Sequence, residues 1–151
     1  MKENELIIKL FDDLFEGSPW IDINIMGTLE PIPAKKAFKK VSNQNSIWEI
    51  VNHLISWRLN VLQRVQGKVI KTPANNYFEP VTDHSKAAWE KTLEKLRDSQ
   101  IQWTDFLKTI NPDAFPKVYP ANNMTYYEHI HGIIQHDAYH LGQITLLAKY
   151  A

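Results

Sequence analysis

From Thr125 to about Lys149 the chain keeps one apolar face at helical spacing: Ile130, Ile133, Ile134, Ala138, Leu141, Ile144 and Ala148. A capping box, Thr125-x-x-Glu128, opens the segment. A helix of this length and pattern needs other helices to cover its apolar face.

Three earlier segments supply that pattern. The first runs from about Glu3 to Glu16, with Leu6, Ile7, Leu10, Phe11 and Leu14 on one face and a stop at Gly17 and Pro19. The second opens with the capping box Ser46-x-x-Glu49 and carries Ile47, Ile50, Val51, Leu54, Val61, Leu62 and Val65 to a stop at Gly67. The third is expected to start near Thr82 or Asp83. Its stripe of Trp89, Leu93, Leu96, Trp103, Leu107 and Ile110 ends at Asn111-Pro112. No strand pattern is strong enough to build a sheet. The expected fold is therefore all-α, a four-helix bundle in one domain spanning 1–151.

The linkers are unequal. Residues 17–45 make a long first crossover with a short helical piece expected around Ile23–Leu29. Such a crossover places the first two long helices parallel or diagonal and excludes a simple up-down-up-down order. Residues 68–81 and 111–124 are loops with prolines and aromatics, expected to wall a pocket.

Composition narrows the function. Lys plus Arg and Asp plus Glu are 17 each, so no charge bias calls for nucleic acid or an anionic membrane. No apolar run approaches the roughly 18 residues of a membrane span, and the N-terminus lacks a signal-peptide pattern, so a soluble cytoplasmic protein is expected. With no cysteine, a thiol nucleophile and Cys-based zinc sites are excluded, and a bound metal must use His, carboxylate or water.

Four of the six histidines fall in HIHGIIQHDAYHLGQ, His129 to Gln143. With His129 at zero on the helical wheel, His136 falls at about 340°, His140 at about 20° and Gln143 at about 320°. His131 falls at about 200° and Asp137 at about 80°, toward the apolar side. His136 and His140, at i and i+4, can converge on one cation; His129, about 10 Å from His136, is too far to share that coordination sphere easily. A third ligand should come from another helix, and His53 in WEIVNHLISW sits mid-helix at the edge of an apolar face. A buried imidazole there needs a partner, and a metal shared with His136 and His140 provides one. His129 reads as a polar neighbour of the centre or a buried polar residue; His131 and His84 read as surface or capping residues. Gln143, one turn beyond His140, could orient a ligand imidazole or a water, and Asp137 and His129 are further supporting candidates. Trp89 and Trp103 read as core. Trp48, Trp57, Tyr126, Tyr139 and Tyr150 could belong either to core or to a pocket wall.

Two other chemistries fit less well. HDAYH has Asp where the zinc-peptidase pattern HExxH has Glu, and no third-ligand segment follows. Glu128-x-x-His131 and Asp137-x-x-His140 have di-iron spacing, but both lie on one helix and point to different sides.

Taken together, IWEIVNHLISW, DHSKAAWEKTLEKL and GIIQHDAYHLGQITLL resemble the DinB/YfiT superfamily over essentially the whole chain, with H-x-x-x-H-x-G-Q as the most specific part. The resemblance implies a four-helix bundle, typically a homodimer, with a divalent metal, often zinc or nickel, on three histidines. These map onto His53, His136 and His140. It also implies a metal-dependent hydrolase or an S-transferase using a low-molecular-weight thiol on a small-molecule substrate. A non-catalytic metal-binding or stress-related dimeric binding module is the alternative.

Overall fold

The computed structural model describes residues 2–151. Among them are six α-helices and one 3-10 turn: α1 (Glu3–Glu16), α2 (Ile25–Leu29), α3 (Ala34–Phe38), α4 (Ile47–Val65), α5 (Lys86–Thr109), the turn Pro112–Ala114, and α6 (Tyr126–Tyr150). No strand forms among the described residues; Val118 and Thr125 make one isolated antiparallel bridge. The chain is an all-α bundle, as expected. α4 packs against α6 and α5, and α1 against α5 and α6, which leaves α1 and α4 on the diagonal of the bundle. None of the described helices is long and apolar enough to cross a membrane.

Local chemistry sets the helix ends. Ser46 and Glu49 exchange hydrogen bonds, Glu49 N–H to Ser46 Oγ at 3.2 Å and Ser46 N–H to Glu49 Oε2 at 2.7 Å. Thr125 and Glu128 close the same box at the start of α6. At the other end of α4, Gly67 adopts φ 94°, and the amides of Gly67 and Lys68 donate to the carbonyls of Arg64 and Gln63. This is a Schellman arrangement, and the left-handed position favours glycine. α5 begins at Lys86, later than Thr82 or Asp83. Asp83 Oδ1 takes the Ser85 amide at 3.0 Å, and Ser85 Oγ takes the Ala88 amide at 3.1 Å, so Ser85 is the cap.

The crossover 17–45 holds two short helices, not one. α2 is capped by Asn24, whose Oδ1 accepts from Gly27 N–H at 2.7 Å. α3, started by Pro33, lies on α4 and α5 and buries Ala34 and Ala37. So short a helix shows no period in the sequence, and only its packing on α4 and α5 reveals it.

The apolar face of α1 is rotated from the expected one. Ile7, Phe11, Leu14 and Phe15 are buried, while Leu6 and Leu10 are 45% and 46% exposed. Asn4 explains the choice. It sits on the buried face, and its Nδ2 donates to the carbonyls of Leu107 at 2.9 Å and Ile110 at 2.8 Å. These carbonyls close α5 and have few partners within their own helix.

The core has two apolar clusters. One gathers Leu14, Phe15, Trp48, Leu54, Trp89, Leu96 and Leu141; the other gathers Ile7, Phe11, Val61, Trp103, Leu107, Ile130 and Ile133. Between them lies a polar layer, buried on α4, α5 and α6 and reaching the exposed Asp12 on α1. Arg58 Nη1 pairs with Asp137 Oδ2, Nε donates to Ser99 Oγ at 2.9 Å, and Nη2 donates to Gln100 Oε1. Gln100 Nε2 continues to Asp12 Oδ1 on α1 at 2.9 Å. The layer links all four long helices and fixes their register.

Candidate metal centre

The packing of α4 on α6 brings His53 opposite the turn that carries His136 and His140. The nitrogens these three histidines can offer to a metal all lie within 4.8 Å of one another. His53 Nδ1–H donates to the Asn76 carbonyl at 2.6 Å, leaving Nε2 as a lone pair that faces His136 Nε2 at 3.0 Å. His140 Nδ1–H donates to Gln143 Oε1 at 2.6 Å, which likewise leaves its Nε2 unprotonated. Gln143 is held in turn by Tyr139, whose hydroxyl accepts from Gln143 Nε2 at 3.2 Å.

This donor set fits a divalent ion. Two of the three rings send their protons outward, so the inward nitrogens have more lone pairs than hydrogens to fill them. His136 Nδ1 is buried without a hydrogen-bond partner and takes no part in this inward set, which His136 enters through Nε2. Two imidazoles bound at about 2.0–2.1 Å with angles of about 90–109° have their nitrogens roughly 2.9–3.4 Å apart, a range that includes the His53–His136 spacing. Protonation does not compete near neutral pH. Burial pulls His53 down to about 4, against the hydrogen bond to the Asn76 carbonyl and with repulsion from His140, and pulls His136 down to about 3, with repulsion from His140 and His53. Burial also lowers His140, against the opposing effect of its hydrogen bond to Gln143 Oε1. The three histidines therefore form a group able to hold a metal ion.

Nothing in the sequence singles out Asn76. It presents its carbonyl from a turn in which Asn76 and Tyr77 both have positive φ, 53° and 62°. Asn tolerates that region, whereas an aromatic residue there is strained. Trp57 Nε1–H on Asn76 Oδ1 at 2.9 Å and Asn60 Nδ2 on the Tyr77 hydroxyl at 2.8 Å hold the turn in place. "NN" marks a turn, but no local pattern says which imidazole its carbonyl will meet.

A cavity of about 520 Å³ opens over the histidines. Phe78 stacks on His53 at 3.9 Å and forms one wall; Ile50, Leu146 and Leu147 add apolar surface, and Gln44, Asn45, Gln143 and Tyr139 polar surface. No lining side chain carries a formal charge. Loop 68–81 contributes Asn76 and Phe78 as expected. Loop 111–124 does not reach this cavity, and the end of the crossover takes that place. Loop 111–124 is held away by its own bonds to α6 and to loop 68–81, including Tyr126 N–H on Lys117 O at 2.8 Å and the Tyr119 hydroxyl on the Ile70 backbone.

The other candidates separate from the centre. His129 is buried beside a neighbouring cavity, with Nε2 3.2 Å from Asn122 Oδ1 and its ring edge-on to Tyr119. Asp137 points into the Arg58 layer and touches none of the three histidines, as its place on the apolar side of the helical wheel requires. His131 is half-buried against Tyr127, and His84 stacks on Phe38 at the surface. Trp48 and Trp89 pack together in the core, Trp57 walls the neighbouring cavity, and Tyr150 is exposed.

Gln143 sits where it can set the tautomer of His140. Replacing it by leucine is expected to weaken divalent-ion binding roughly 10–100-fold without loss of helix content, read by calorimetric zinc titration and circular dichroism. Unchanged affinity would remove Gln143 from the centre.

Fold and site together define a class: a helical bundle whose two best-packed helices share a three-histidine group at the floor of a cavity. The chain belongs to the DinB superfamily, whose family model matches residues 24–144. No curated protein and no solved structure matches it.

Proposed function

We propose that this protein is a metal-dependent enzyme that activates water or a low-molecular-weight thiol against a small-molecule electrophile. The observation that carries the reading is the convergence of His53, His136 and His140 at the floor of the cavity, with the outer nitrogens of two of them already bonded away. A divalent ion held by His53, His136 and His140, zinc or nickel by the family resemblance, would supply there a Lewis acid that lowers the pKa of water or of a thiol.

The chain's own residues do the rest. Asn76 and Gln143 hold the imidazoles of His53 and His140 so that the lone pairs stay inward. Phe78, Ile50, Leu146 and Leu147 exclude water from one side of the reacting centre. The Tyr139 hydroxyl accepts from Gln143 and keeps its own proton free to donate to a substrate oxygen. The uncharged lining favours a neutral electrophile, because a charged one would leave its solvation shell without a counter-charge.

Incubating zinc- or nickel-loaded protein with an uncharged electrophile, with and without a low-molecular-weight thiol, separates the chemistries. Turnover that needs the thiol identifies an S-transferase; turnover without it identifies a hydrolase. Both are expected to vanish in His53→Ala. Stoichiometric metal with no turnover under either condition would sink the enzymatic reading and leave a non-catalytic metal-binding module.

A further inference from the structure

We propose that the second cavity beside the histidines is a carboxylate-binding site, with Arg64 as its cation. This cavity, about 330 Å³, is lined by Trp57, Arg64, Asn122 and His129, and shares Asn76 and His136 with the larger one. A volume of that size suits a small molecule or one arm of it.

Arg64 is only 9% exposed, yet it forms no ion pair among the described residues. Its Nε–H donates to Asn60 Oδ1 at 2.7 Å and Nη2 to Thr72 Oγ1 at 3.3 Å, both neutral acceptors. Its guanidinium lies 5.3 Å from the Trp57 ring centroid and 4.9 Å from that of Tyr119. Nη1 has no hydrogen-bond partner among the described residues. The comparison within the same helix is direct. Arg58, still more deeply enclosed at 1% exposure, has Asp137 as its counter-charge. A buried cation without one is costly, and its free edge is shaped for a carboxylate.

The surroundings select the class of anion. Arg64 is the one Lys or Arg lining the cavity, so a single negative charge is matched. Glu128 also lines it, but its carboxylate is turned to the Thr125 amide and hydroxyl at 2.7 and 2.8 Å, and it repels a dianion. Two amide donors complete the site. Asn122 Oδ1 accepts from Met124 N–H and Asn76 Oδ1 from Trp57 Nε1–H, so both Nδ2 groups remain without a partner among the described residues. A carboxylate on Arg64 leaves the rest of its molecule against the wall shared with His136. That extension rests on the three histidines being the reaction centre; the anion site itself does not.

The test is calorimetric titration of the zinc-loaded protein near pH 7 with propionate, a monoanion, and, separately, inorganic phosphate, repeated with Arg64→Gln and with His140→Ala exposed to the same zinc. Propionate is expected to bind at one per chain and more tightly than phosphate. Its Kd should rise about tenfold or more in Arg64→Gln, and should stay unchanged in His140→Ala. Equal propionate affinity in wild type and Arg64→Gln, or tighter binding of phosphate, overturns the assignment. Binding lost in His140→Ala but kept in Arg64→Gln places the anion on the metal; it overturns this site while supporting the metal centre. Should Arg64→Gln fail to fold, the indole N–H resonance of Trp57 in the wild-type chain, assigned through Trp57→Phe, decides. It must shift on adding propionate, and a stationary resonance at high propionate overturns the site.

Discussion

Replacing His140 by alanine is expected to abolish stoichiometric binding of a divalent ion. The wild-type chain should take up one zinc or nickel per protomer, read by elemental analysis after dialysis. The loss in affinity in His140→Ala, and equally in His53→Ala, should exceed the roughly 10–100-fold that groups supporting a metal ligand contribute. Two imidazoles on one helix cannot enclose an ion; the third, from α4, closes the set. The same experiment has a thermal readout. An ion at 100 times its Kd adds about 2.7 kcal/mol to stability, a rise of roughly 5–11 °C in Tm for a domain of this size. That rise should appear in wild type and be absent in both variants. If wild type binds no stoichiometric ion, or if His140→Ala binds as much, the centre is a histidine cluster without a metal.

The parts of this arrangement visible in the sequence are those written at short range. Ser46-x-x-Glu49 and Thr125-x-x-Glu128 mark helix starts because each capping bond spans three residues. The wheel positions of His136, His140 and Gln143 are a property of one helix, so their common face is legible. His53 joins them because a mid-helix imidazole near an apolar face needs a partner and few elsewhere could supply one. What is not legible depends on which helix faces which. The period of α1 admits two faces, and the carbonyls at the end of α5 choose the one with Asn4. Asp137 falls on the apolar side of the wheel, but only the position of Arg58 on another helix shows which partner its carboxylate meets there. Arg64 looks like a surface residue near a helix end until loop 68–81 and Tyr119 fold over it.

The polar layer carries the largest stability prediction. Asp137→Asn keeps the shape of the side chain and removes its charge, leaving Arg58 enclosed without a counter-charge. Such a break costs about 3–5 kcal/mol, or roughly 6–20 °C in Tm at this chain length. Arg58→Met should be damaging for a second reason, since it also strips a donor from Gln100 Oε1, which has no other partner in the layer. Ser99 suffers less, because its hydroxyl still donates to the Leu96 carbonyl at 2.6 Å. Combining Arg58→Met with Asp137→Leu should recover part of the loss, because neither charge is then stranded, but not all of it, because Gln100 Oε1 remains unpaired. A double-mutant cycle measured by urea unfolding therefore ought to show strong coupling between the two positions. The cycle also separates the layer from the metal centre. Asp137→Asn, though adjacent in sequence to His136, should still bind one divalent ion per chain at temperatures where it remains folded. A Tm within a degree or two of wild type, or loss of the ion from a folded Asp137→Asn protein, would show that Asp137 serves the histidines and not the bundle.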